Sequence, residues 1–280
     1  MYPRYSGGAI ILIVLWHLNS VFPNCLPAFG DRGVEFFCLI SGLLIGIKYY
    51  DSNKMKNAEQ TVKYAVAKGR KIYPLYCMTI LLFCYLTIFI FFWIIRRMGS
   101  KSTLVMLFLI EFAWEFLVLN CFQNQAAFLT YIFPVCRALD FGIGISLGVL
   151  SKCKEKKNLN GMLVLSLAVY VIMMVVFNKK LTYSVYHVIE ALLVWIVVMN
   201  SGSVSKFIFE NPLLVKIGNI SEVIFLTHLP VIAYMRIIWE KMVGNQYRFV
   251  EWIEILICIS VTAYGVSYIQ KMIRVRSKAI

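Results

Sequence analysis

The sequence predicts an all-α, polytopic integral membrane protein with about ten transmembrane helices. Three observations carry that prediction. Hydrophobic residues fill 60% of the 280 positions and charged residues only 15%, for a mean hydropathy of +0.76. A soluble domain carries about 25% charged residues, and fewer cannot cover a surface in contact with water. The apolar residues also gather into runs of near-bilayer length. Finally, the net charge of +14 falls mostly between those runs, where Lys and Arg set topology and face anionic lipid. The lipid bilayer is thus the first expected partner. Nucleic acid, the usual partner of such an excess in a soluble protein, is not expected.

The runs are 7–22, 33–50, 72–95, 103–122, 126–151, 162–177, 183–200, 218–241 and 249–270. A helix of about 20 apolar residues crosses the hydrocarbon core, and slightly fewer suffice when flanking residues snorkel. The first run lacks a clear small-residue cleavage site and is soon followed by a second, so it is expected to stay in place as a span. Residues 51–71 carry Lys54, Lys56, Lys63, Lys68, Arg70 and Lys71 and read as a partly helical cytoplasmic loop, which puts the N-terminus inside. The cluster Lys152, Lys154, Lys156 and Lys157 and the tail with Lys271, Arg274, Arg276 and Lys278 are expected inside as well.

Counted back from the tail, the last four runs alternate correctly. Three runs lie between 71 and 152, whereas two inside ends need an even number. The stretch 122–151, interrupted by Pro134, Arg137 and Asp140, is therefore expected to be two passes or a re-entrant pair. Arg96, Arg97 and Lys101 then fall outside, against the charge rule. The sequence has no defensible internal repeat and no soluble domain, so residues 1–280 read as one membrane domain.

The eight Cys form no CxxC pair and no metal-ligand spacing, so buried apolar thiols are expected and no metal is. Ionisable residues inside the runs are more telling, because each charge at mid-bilayer costs about 2.5–3.5 kcal/mol. His17, Glu35, Glu111, Glu115, Arg137, Asp140, His187, Glu190, Glu222, His228 and Arg236 are too many to face lipid, which implies a polar interior. His17 sits about ten residues into the first run, roughly 15 Å deep. Glu35 is either part of an interfacial cluster with Asp31 and Arg32 or a carboxylate that orients His17 as a base.

Glu111 and Glu115, four apart, share a helix face and read as a cavity wall or as partners for Arg137 or Arg236. Arg137 and Asp140 are spaced to pair with each other, and His187 with Glu190 reads as interfacial. Gly142, Gly144 and Gly148 form a small-residue pattern for close helix packing. Lys68, Arg70 and Lys71 at a helix start are suited to the phosphates of a nucleotide-like cofactor or to lipid headgroups.

Four segments together resemble the acyltransferase-3 family of bacterial integral-membrane acyltransferases. Residues Ser6 to His17 resemble its opening run ending in His. Gly33-Val34-Glu35-Phe36-Phe37-Cys38-Leu39-Ile40-Ser41-Gly42-Leu43 is similar to its Gly-Val-Asp-x-Phe-Phe-x-x-Ser-Gly-Phe segment. Lys68-Gly69-Arg70-Lys71-Ile72-Tyr73-Pro74-Leu75-Tyr76 resembles the basic Arg-x-x-Arg-Ile-x-Pro-x-Tyr segment. Asn211-Pro212, Ile217-Gly218-Asn219-Ile220-Ser221 and Phe225-Leu226-Thr227-His228-Leu229-Pro230 resemble the Leu-Gly-x-Ile-Ser-Tyr-x-x-Tyr-Leu-x-His-x-Pro stretch. The run from Arg137 to Phe141 with Gly142 and Gly148 resembles the Arg-x-x-Glu-Phe-x-x-Gly region.

The resemblance implies ten spans in a bacterial cytoplasmic membrane, with both termini cytoplasmic. It also implies acyl transfer from acyl-CoA, often acetyl-CoA, to a sugar hydroxyl of a surface polysaccharide or its lipid-linked precursor. His17 matches the family's functional His. Glu35 stands where the family has Asp, and Lys68 and Lys71 where it has two Arg. Charge is kept at both Lys, while bidentate phosphate binding by a guanidinium is not. Ser6 stands where the family has an Arg, a departure that leaves room for an inactive member. On this reading His17 and Glu35 are catalytic, Lys68, Arg70 and Lys71 bind the acyl-CoA co-substrate, and no cofactor is held permanently. The rival reading is a transporter or flippase with a buried His and carboxylate relay.

Overall fold

The computed structural model describes residues 3–21, 32–52, 55, 57–72, 78–177, 183–209, 211–242 and 249–276. Among them there is no strand, and helices occupy nearly every position. In chain order these are α1 (Pro3–Val21), α2 (Gly33–Tyr49), α3 (Ala58–Ile72), α4 (Met78–Met98), α5 (Ser100–Cys121) and α6 (Pro134–Lys152). They are followed by α7 (Asn160–Phe177), α8 (Tyr183–Met199), α9 (Ser203–Phe209), α10 (Pro212–Asn219), α11 (Ser221–Met242) and α12 (Phe249–Arg276). Four stretches are long and apolar enough to cross a membrane: Ser100–Cys121, Phe128–Lys152, Asn160–Phe177 and Val223–Met242. The expected helical membrane character is therefore present. The short helices α9 and α10 were not anticipated from hydropathy.

The chain divides into two compact units. The first comprises Met1–Val34, Lys71–Cys77 and Asn211–Ile280; the second comprises Glu35–Arg70 and Met78–Glu210. In the first unit α1 packs on α10 and α11, and α11 on α12. Gly7 makes the α1–α10 approach possible, because a Cβ there would collide with Leu214 O and lie 3.2 Å from Gly218 N. Asn211 caps α10 by accepting a hydrogen bond from Leu213 N (2.9 Å), with Pro212 in the first turn, where its missing N–H costs nothing. Pro230 lies inside α11 and leaves Leu226 O without its helical donor.

The second unit is built on α6, of which every residue from Arg137 to Val149 except Leu139 is buried. Gly42 and Gly46 of α2 face Gly144 and Gly148 of α6, so the two backbones touch. A Cβ on Gly144 would strike Leu39 O, and one on Gly42 would strike Phe141 O. The expected small-residue contact of α6 is thus met by a matching pair on α2.

Contacts fix the relative directions of these helices. Gly42 meets Phe141 and Gly148 meets Leu43 and Ile47, so α2 and α6 run parallel. Cys84 Sγ lies 3.6 Å from Arg137 O, and the Phe91 ring lies against Gly142, so α4 runs with them. Trp114 Nε1 donates to Leu129 O (3.0 Å) while Glu111 lies level with Asp140, so α5 runs the opposite way.

Two expectations are corrected by this arrangement. The stretch 122–151 does not make two passes. Residues 123–132 form a short turn and a π-helical turn closed by Phe133 N on Phe128 O (2.9 Å). The chain then breaks at Phe133 (ψ 125°), and α6 begins at Pro134. The helical piece before the break is only about 15 Å long at 1.5 Å per residue, half a hydrocarbon core.

The second correction concerns Arg96, Arg97 and Lys101, which were expected on the face opposite Lys152. Arg96 Nη2 instead donates to Tyr50 O (3.4 Å), and Lys152 pairs with Asp51, so the C-terminal ends of α2, α4 and α6 share one end of the unit. Lys157 joins the same end through backbone bonds to Met199 O (3.0 Å) and from Ser201 N (2.9 Å). Counting runs could not reveal this, since one miscounted pass inverts every later assignment.

Candidate functional site

Two polar centres occupy the apolar helices, one in each unit. In the first unit His17 of α1 and His228 of α11 face each other with ring centroids 5.1 Å apart and planes inclined at 48°. His228 is 1% exposed, and its Nδ1 donates to Ile224 O (3.0 Å). That bond fixes the tautomer and leaves Nε2, which is buried without a hydrogen-bond partner, as the available lone pair. His228 was not among the expected site residues. Its signal in the sequence is the motif Thr227-His228-Leu229-Pro230, but nothing in the sequence brings that histidine near His17.

In the second unit the residues converge from four helices. Arg137 Nη1 lies 2.9 Å from Asp140 Oδ2 and 3.5 Å from Glu35 Oε1, all three side chains being 2–3% exposed. Its Nη2 donates to Thr130 O (3.2 Å), and its guanidinium lies 5.2 Å from the Tyr131 ring centroid. His187 Nδ1 sits 2.8 Å from both carboxylate oxygens of Glu111 and 3.6 Å from Asp140 Oδ1. Glu190, fully buried, accepts from the Tyr170 hydroxyl (3.0 Å).

Glu115 has a different task. Its carboxylate accepts from Tyr183 N (2.6 Å), Ser184 N (2.9 Å) and Ser184 Oγ (2.5 Å), which anchors the start of α8.

The expected Arg137–Asp140 pair is present. His187 and Glu190 are buried rather than interfacial. Glu111 and Glu115 partner α8 rather than Arg137 or Arg236, and Arg236 pairs with Glu240 (2.7 Å). Of the residues expected at the site, His17 belongs to the first unit and Glu35 to the second, where Arg137 accompanies it. Lys68, Arg70 and Lys71 lie in the last turns of α3, with their side chains outside the described residues. Asp31 lies outside them too, as do Cys25 and Cys77. Of the other thiols Cys38, Cys84 and Cys136 are buried, as expected for apolar cysteines, but Cys121 and Cys153 are exposed.

No family model, curated protein or solved structure matches this chain.

Proposed function

We propose that the chain is an integral membrane acyltransferase that moves an acyl group, most simply acetyl, from acyl-CoA to a sugar hydroxyl of a cell-surface polysaccharide or its lipid-linked precursor. The observation that carries this reading is the meeting of His17 and His228, with ring centroids 5.1 Å apart. They are the histidines of the first and last segments that resemble the acyltransferase-3 family, and they come from opposite ends of the sequence.

His17 is the base. It removes the proton of the acceptor hydroxyl as that oxygen attacks the thioester carbonyl. The new C–O bond forms, the C–S bond breaks, and the proton returns to the departing CoA sulfur. His228, its ring set by Ile224 O, packs beside His17. Glu35, which the resemblance pairs with His17, lies beside Arg137 in the second unit. Lys68, Arg70 and Lys71 hold the CoA phosphates, with Arg70 alone able to bind bidentately. The chain crosses the membrane several times, and the Lys- and Arg-rich end of the second unit faces the cytoplasm of a bacterial cell.

The test is release of free CoA thiol by the purified protein in lipid nanodiscs, given acetyl-CoA and its acceptor. His17→Ala is expected to slow release at least about 100-fold. A transporter is the second reading, favoured by the buried ionic cluster around Arg137 and Asp140. It would be indifferent to acyl-CoA, and substrate flux with no thiol release would overturn the acyltransferase reading. Thiol release absent in folded protein that also moves no substrate would mark an inactive member, the outcome to which Ser6 points.

A further inference from the structure

Glu111 on α5, Asp140 on α6 and His187 on α8 each direct one ligand-type atom into a shared space, with those atoms all within 4.8 Å of one another. We propose that these three side chains form a binding site for one divalent first-row cation, zinc or manganese, independent of the acyl-transfer reading. Their separations suit a common ion. At ligand distances near 2.0–2.2 Å, neighbouring ligand atoms lie about 3–3.5 Å apart; here His187 Nδ1 is 2.8 Å from Glu111 and 3.6 Å from Asp140 Oδ1. Nδ1 is also equidistant from both Glu111 oxygens, at 2.8 Å. The Glu111 carboxylate therefore presents both oxygens on the side of His187 Nδ1, where either can serve as a ligand.

A second observation points the same way. The Asp140 carboxylate is 2% exposed, and its Oδ2, although 2.9 Å from Arg137 Nη1, makes no hydrogen bond. Oδ2 is turned to Arg137, which leaves Oδ1, on the His187 side, as the oxygen that can take an ion. Around it Glu35, Glu111, Asp140 and Glu190 bring four buried or half-buried carboxyl groups into the unit, a setting that favours a bound cation. One imidazole with two carboxylates matches zinc or manganese better than magnesium or calcium, which take oxygen ligands alone.

The experiment uses the full chain, purified in detergent without chelator and with an affinity tag free of histidine. Metal analysis should find about one zinc or manganese ion per chain. Chelator-stripped protein should bind Co²⁺ with visible ligand-field absorption, and zinc or manganese should raise its unfolding temperature. Glu111→Gln and Asp140→Asn should abolish the absorption, while Glu59→Gln, an exposed carboxylate on α3, should keep it. Stripped wild-type protein that stays folded yet takes up neither cobalt, zinc nor manganese overturns the proposal, and that result needs no variant to fold. Unchanged cobalt binding by folded Asp140→Asn overturns it equally. The readout is bound metal, so a failure of acyl transfer leaves it untouched.

Discussion

Adding one methyl group at Gly144 should loosen the second unit. A Cβ there would collide with Leu39 O and stand 2.9 Å from both Leu39 C and Leu43 N, where ordinary contact begins at 3.4 Å. All three atoms are backbone of α2, so no side chain can swing aside, and the two helices must separate along their whole contact. Overpacking of this kind costs about 1–3 kcal/mol. For a chain of this size that lowers the unfolding temperature by roughly 2–12 °C.

The assay is thermal unfolding in detergent followed by a thiol-reactive dye, which reports exposure of the buried Cys38 and Cys84. Gly161→Ala is the control: nothing lies within 4 Å of a Cβ at Gly161, and a helical Gly→Ala change without strain stabilises by about 0.4–1 kcal/mol. Combining Gly144→Ala with Gly42→Ala should cost less than the sum of the two, because the first separation makes room for the second methyl. If Gly144→Ala unfolds at the wild-type temperature, the α2–α6 backbone contact is wrong.

Arg137→Met should destabilise by about 3–5 kcal/mol, since it removes the buried guanidinium that Asp140 and Glu35 share. Adding Asp140→Asn should recover part of that loss in the same thermal assay, and no recovery would refute the pairing. Glu115→Gln should weaken the start of α8 by about 1–2 kcal/mol, because a neutral amide accepts its three donors less strongly. It should appear as faster hydrogen exchange confined to the first turn of α8. In a chain reduced to one cysteine at a time, a membrane-impermeant maleimide should label Cys121 on intact cells and Cys153 only after permeabilisation. Labelling of both from the same side would contradict the opposed ends of α5 and α6.

What was legible in the sequence was local. The runs 103–122, 162–177 and 183–200 match α5, α7 and α8 to within three residues at each end, because a long apolar stretch has few alternatives to a helix. Arg137 and Asp140 are one turn apart, so their pairing needed no tertiary knowledge. Gly144 and Gly148 announced a close contact, although only the fold shows that Gly42 and Gly46 supply the other half.

The misreadings were all about partners distant in sequence. Position along α8 suggests how deep His187 lies, but not that it faces Glu111 on α5 and Asp140 on α6. Glu111, Asp140 and His187, spread over three helices, have no spacing signature that announces their meeting. Arg96 was assigned to the wrong end because a parity argument turns on every earlier span. The break at Phe133, which looked like room for two passes, is a kink within one.

The most direct test of the central claim is the O-acetyl content of surface polysaccharide, measured by proton NMR in a deletion strain complemented with wild type or with His17→Ala. The account predicts that wild type restores an acetyl signal that deletion removes, and that His17→Ala, expressed at the same level, does not. An acetyl signal unchanged by deletion, or restored in full by His17→Ala, would contradict it.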